Sequence, residues 1–184
     1  VAQSKLFVMA LRVRKQFLYE NRKNVKAAII VWDQQEKYLD RKHVIEAAWN
    51  WINMTIPVIS STFASFSRMC KNLGAETLGH LFIDEAGQAL PQAAVGAIYR
   101  SRHVMVVGDP LQIKPVLTLD SNTLYMLGEH FGVTEKYLSA SASAQILADA
   151  ASQYGFYRKQ DKAEDSWVGI PLWVHRRCRL QFRT

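Results

Sequence analysis

Cysteine is scarce in this chain of 184 residues: Cys70 and Cys178 stand far apart and in no metal-ligand spacing. That argues against a disulfide framework and a Cys-rich zinc site. Two free thiols in a reducing compartment are expected, with the cytoplasm as the default location. No apolar run approaches the length of a membrane span and no signal peptide is visible, so a soluble domain with no membrane partner is expected. Internal repeats and low-complexity tracts are missing too. Glycines fall at 74, 79, 87, 96, 108, 128, 132, 155 and 169, and none is followed by lysine. The sequence therefore lacks Gly-x-x-x-x-Gly-Lys-Ser/Thr, the loop whose amides and lysine cradle nucleotide phosphates.

What is present is an ordinary globular composition, 49% hydrophobic and 21% charged, long enough for one full core and a piece of a second domain. The net charge of +7 is unevenly spread. Residues 1–50 hold ten Lys or Arg against five acids, and residues 171–184 hold four Arg and no acid. The middle is slightly acidic, nine against eleven. Basic ends of this kind can meet a polyanion or form a solvated face, and charge alone does not choose between them.

The stretch from Leu81 to Val116 organises the rest. It holds two apolar runs, each followed at once by acidic and polar residues: LFIDEAGQ and VMVVGDPLQ. Continuous apolar runs ending in turn residues predict strands buried on both faces of a parallel sheet. Between them, Gln88 to Arg100 is Ala-rich, with Leu90, Ala94 and Ile98 at helical spacing. Strand, helix, strand is a βαβ unit, so both acidic loops should emerge side by side at one sheet edge, where ligands of such sheets bind. There Asp84 could hold Mg²⁺ through water, and Glu85 could polarise the water that attacks a terminal phosphate. Asp109 and Gln112 could register whether that phosphate is present. A helix-capping role for Asp84 and Glu85 is the plain alternative.

IDEAGQ followed by VVGDPLQIKPV resembles motifs II and III of superfamily 1 helicases, in the branch of the nonsense-mediated-decay helicase and its bacterial relatives. Lys114 departs from the pattern, which usually carries proline or another small or acidic residue there. The resemblance implies an α/β, RecA-like P-loop NTPase fold, with ATP and Mg²⁺ as cofactors and single-stranded DNA or RNA as partner. It gives Asp84, Gln88, Gly108, Asp109 and Gln112 to the nucleotide. Movement in the 5′→3′ direction is borrowed from it as well.

Elsewhere, helical spacing predicts helices over residues 3–23, 24–38 and 43–53, with His43 on the surface. Pro57 opens PVISSTFASF, read as a strand at Val58 and Ile59 followed by a helix from Phe63 to Asn72. Ser60, Ser61 and Thr62 at that junction resemble the motif Ic that touches the nucleic-acid backbone, and a helix N-cap would use the same residue types. Asp120 or Ser121 should cap a helix through His130, with Gly132 breaking the chain. A further helix is expected over Leu138 to Tyr154, with Ile146 and Leu147 inward. Residues 158–166 read as a charged linker or flexible insertion.

IPLWVHRRC, Ile170 to Cys178, reads as a short strand and resembles motif IV, which opens the second RecA-like domain. That resemblance makes Arg176 the arginine that reaches the γ-phosphate, with Arg177 as second choice. The expected organisation is a partial first RecA-like domain over 1–169 and the start of a second over 170–184. Within the first, 1–53 is helical and basic, 57–116 bears the motifs, and 117–169 holds helices and the charged loop. An excised piece of a helicase motor is expected, needing an upstream phosphate-binding segment and a second RecA-like domain, and inactive alone. A nucleic-acid-binding module without ATP chemistry is the alternative. A metal-dependent nuclease is disfavoured, because Gln88 and Gln112 stand where it would want extra acids.

Overall fold

The computed structural model describes residues 2–109, 115, 119–134, 137–138, 142–159 and 166–170. They divide into two compact units: Val1–Gly79 with Gly96–Arg102, and His80–Val95 with the described residues from His103 onward.

The first unit is mainly helical. α1 (Ala2–Glu20), α2 (Arg22–Asp33) and α3 (Lys42–Thr55) follow the predicted spans closely. The second predicted helix is cut short at Gln34, and Gln35–Tyr38 tightens into a 3₁₀ turn. α3 is the hub because one face carries Ile45 and Trp49, which join Cys70 and Leu73 in the buried core. Trp32 meets Trp49 edge to face at 6.3 Å, and Phe17 stacks on Trp51 at 6.0 Å. α1 has no buried residue. Val58 and Ile59 do not form a strand: Val58 is 81% exposed in a connection without regular structure that leads to α4 (Phe63–Met69). Among the described residues no strand lies beside them to bond their amides, and two β-branched residues alone do not make a strand.

β1 (Leu78–Ile83) and β2 (Ser101–Val106) pair with each other, and α5 (Pro91–Tyr99) joins them. Their partners rise together in sequence, since Leu78 N–H donates to Arg100 O and Val107 N–H to Ile83 O. The pairing is therefore parallel, the βαβ arrangement expected. Burial on both faces is not what the structure has: Phe82 is 68% and Met105 56% exposed. Among the described residues these two strands have no further strand beside them, so their apolar side chains stay open.

In the second unit Asp120 caps α6 (Ser121–Phe131) through Thr123 N–H, and Gly132 ends it in the left-handed conformation (φ 65°). The next helix is shorter than its predicted span. α7 (Ala144–Ala151) starts where Ser143 Oγ accepts from Ile146 N–H and stops at Ser152. Ile146 and Leu147 are half-buried. At the predicted charged stretch 158–166, Arg158 and Ser166 belong to paired strands, and residues 160–165 lie outside the described residues. β3 (Phe156–Arg158) and β4 (Ser166–Val168) pair antiparallel, Tyr157 opposite Trp167. Their rings meet edge to face at 5.1 Å, a cross-strand contact that adds to the pairing. Ile170 lies outside any strand, and the rest of the predicted strand to Cys178 lies outside the described residues.

Candidate functional site

The site belongs to the second unit and begins where β1 ends on the buried Ile83. The chain turns so sharply that Glu85 takes a left-handed conformation (φ 52°, ψ 38°). For a residue with a Cβ this costs about 1–2 kcal/mol, and such backbone gathers at sites where function holds it. Glu85 N–H donates to Asp84 Oδ1 at 2.9 Å, and Gln88 Nε2 donates to Glu85 Oε2 at 3.4 Å. The Glu85 side chain makes no capping bond to the 3₁₀ turn Ala86–Gln88 that follows, so the plain capping role is not the one it has. Asp84, Glu85 and Gln88 are exposed.

The loop after β2 is laced to this turn. Val107 N–H donates to Ile83 O at 2.8 Å, and Ala86 N–H donates to Val107 O at 3.0 Å. Two glycines allow the approach. A Cβ on Gly87 would lie 2.8 Å from Asp109 O, and one on Gly108 would lie 2.8 Å from Gly87 N and 3.0 Å from Ala86 N. Any larger residue at either position would push the backbones apart. The structure thus brings Asp84, Glu85, Gln88, Gly108 and Asp109 together. Gln88 faces the Glu85 carboxylate rather than starting a long helix. Gln112 and Arg176 lie outside the described residues.

Ser60, Ser61 and Thr62 lie in the first unit and are exposed. Thr62 Oγ1 accepts from Ser65 N–H at 3.3 Å, so this hydroxyl caps α4, and Ser61 Oγ donates to Thr62 O. That is the capping alternative in its local form.

Among the described residues no three or more His, Cys, Asp and Glu side chains gather as a metal cage. Asp84 fits a different kind of cation. Its Oδ1 is fixed by Glu85 N–H, which leaves the other oxygen for an ion that keeps most of its own water, as Mg²⁺ does.

Sequence reading missed the support behind the loop. α7 packs on the 3₁₀ turn, and Ala144 N–H donates to Ala89 O at 2.8 Å. Gln145 and Asp149 stand on this helix at i, i+4, the spacing of a Gln–Asp pair, which was the available signal.

The family model described as AAA domain matches residues 4–119 of this chain. The match takes in α1 to α3 as well as both acidic loops, and it ends before α6 and the Arg176 segment. No curated protein and no solved structure matches. No helix among the described residues is long and apolar enough to cross a membrane.

Proposed function

The chain belongs to the AAA domain family, P-loop ATPases of helicase type, and from that premise we propose that it is part of a superfamily 1 helicase or translocase motor with a RecA-like core. The motor couples Mg-ATP hydrolysis to movement along DNA or RNA. One observation carries the reading: an Asp-Glu pair and a Gly-Asp loop, at the carboxyl ends of neighbouring parallel strands, touch backbone to backbone through Gly87 and Gly108.

Each residue then has a task. Asp84 holds Mg²⁺ through water, and the cation supplies charge neutralisation at the phosphates. Glu85 orients and polarises the attacking water as general base. Its backbone is left-handed, and the Gln88 amide donates to its carboxylate and so helps to hold it in place. Gln88, Gly108, Asp109 and Gln112 report phosphate occupancy to the nucleic-acid groove. Arg176 neutralises charge from the second domain. Ser60, Ser61 and Thr62 meet the nucleic-acid backbone. The phosphate-cradling loop is not in this sequence, so these 184 residues alone should turn over ATP poorly.

The test is ATP turnover by the intact protein, with and without single-stranded DNA and RNA, as wild type and Glu85→Gln. Loss of a general base lowers turnover by about 10²- to 10⁴-fold, and that collapse is expected here. Unchanged stimulated turnover in the variant would refute the assignment. Tight strand binding without turnover in either protein would point instead to a nucleotide-independent binding module.

A further inference from the structure

Asp149, 9% exposed, accepts two hydrogen bonds on Oδ1: from Gly169 N–H at 2.9 Å and from Gln145 Nε2 at 3.2 Å. A carboxylate can only accept, so it decides which end of the Gln145 amide faces it. The oxygen must then point away from Asp149. There Gln145 Oε1 is buried with no hydrogen-bond partner among the described residues, 2.9 Å from the position a Gly108 Cβ would take. That same position is 2.8 Å from Gly87 N and 3.0 Å from Ala86 N. Native proteins seldom leave a buried acceptor unpaired, and each exception asks for a reason. The orphan oxygen and two backbone nitrogens of the acidic turn thus border the same position above Gly108, and one of those N–H groups, that of Ala86, already serves Val107 O. At the far end, Gly169 has room for Asp149 because it has no side chain: a Cβ there would lie 3.0 Å from Asp149 Oδ1.

We propose that Gln145 is a positioning residue for the loop that bears Asp84 and Glu85, and that Gln145, Asp149 and Gly169 form a relay from this loop to the β3–β4 hairpin. The loop has two arrangements. In the one described, Gln145 Oε1 is unpaired. In the other, the turn rotates so that a backbone N–H of Ala86–Gly87 reaches this oxygen. Pairing the orphan favours the second arrangement, and a ligand on Asp84 that prefers it shifts the balance further. Asp149 carries the change to Gly169, because it holds Gln145 and Gly169 through one oxygen. The trigger rests on the nucleotide reading above, whereas the relay itself stands on these contacts alone.

The test combines hydrogen exchange over residues 84–90 and 166–170 with ATP turnover, on the intact protein with and without nucleotide. Gln145→Leu removes donor and acceptor together. Exchange should then rise roughly tenfold in both segments without nucleotide, as expected for groups coupled in one network. Turnover should fall about tenfold in kcat with KM for ATP nearly unchanged, the pattern of a lost contact that acts beyond ground-state binding. Gln145→Glu sets two carboxylates against each other and should be at least as damaging. Gln145→Glu combined with Asp149→Asn exchanges donor and acceptor: the amide introduced on the Asp149 side donates to the carboxylate introduced on the Gln145 side, and its carbonyl accepts from Gly169 N–H. This double variant should recover both readouts, which a merely space-filling role would not produce. Exchange altered within 144–151 alone, or a double variant no better than Gln145→Glu, overturns the relay. Absent turnover in the wild type would sink the nucleotide reading, while exchange without nucleotide still decides the relay.

Discussion

Gly108→Ala tests the claim that the two acidic loops depend on backbone contact. The added methyl would stand 2.8 Å from Gly87 N, 2.9 Å from Gln145 Oε1 and 3.0 Å from Ala86 N. The Gln145 amide is the end of a flexible side chain and can yield. The two nitrogens cannot, because they belong to the 3₁₀ turn and Ala86 N–H is committed to Val107 O. An ordinary contact therefore requires the loops to separate by several tenths of an ångström. Overpacking of this kind costs about 1–3 kcal/mol. At roughly 1.4 kcal/mol per factor of ten, local opening should become about 5- to 150-fold more frequent. The assay is amide exchange at Ala86 and Val107, whose N–H groups lace the loops. Gly79→Ala is the control, since a Cβ there meets nothing within 4 Å. If Ala86 and Val107 exchange no faster in Gly108→Ala than in that control, the close approach has no energetic weight and the reasoning fails.

Glu85→Gly should raise stability by about 1 kcal/mol, by relieving the left-handed backbone, while removing the proposed chemistry. Urea unfolding checks it, with Glu76→Gly (φ 54°) as a second left-handed position outside the site that should gain similarly. Burial pushes the Cys70 thiol from an ordinary 9.0 up to about 11, against a smaller opposing pull from Arg100. The folded state therefore holds this proton more tightly than the unfolded chain. Its contribution is full below about pH 9 and is lost as pH rises towards about 11. The urea midpoint should fall more steeply across that window in wild type than in Cys70→Ala, and parallel curves would refute the assignment. The Thr123 side chain and backbone hold the Asp120 carboxyl below the usual carboxylate range. That cap is present above the ordinary carboxylate value and disappears as pH falls through the lowered one. The Thr123 amide should lose protection on acidification, and at all pH values in Asp120→Ala.

The legible parts of this chain rest on neighbours in sequence. Leu6, Met9, Val13 and Phe17 mark α1 by spacing alone, while Asp120 and Gly132 bracket α6 by cap chemistry. The runs before Asp84 and Gly108 announced β1, β2 and the loops after them, because apolar runs ending in turn residues need only local rules. Where the rules were local but the outcome was not, the reading failed. Val58 and Ile59 found no partner strand among the described residues, and Phe82 and Met105 stayed exposed.

By itself, the sequence determined which residues could do chemistry and on which strand ends they sit. Tertiary structure alone decided that Gly87 and Gly108 meet, that Glu85 turns left-handed, and that Gln145 and Asp149 stand behind the loop. These features join residues some twenty to sixty positions apart. Whether such residues meet depends on chain closure and packing summed over the whole unit, and no local pattern of residue types encodes that sum.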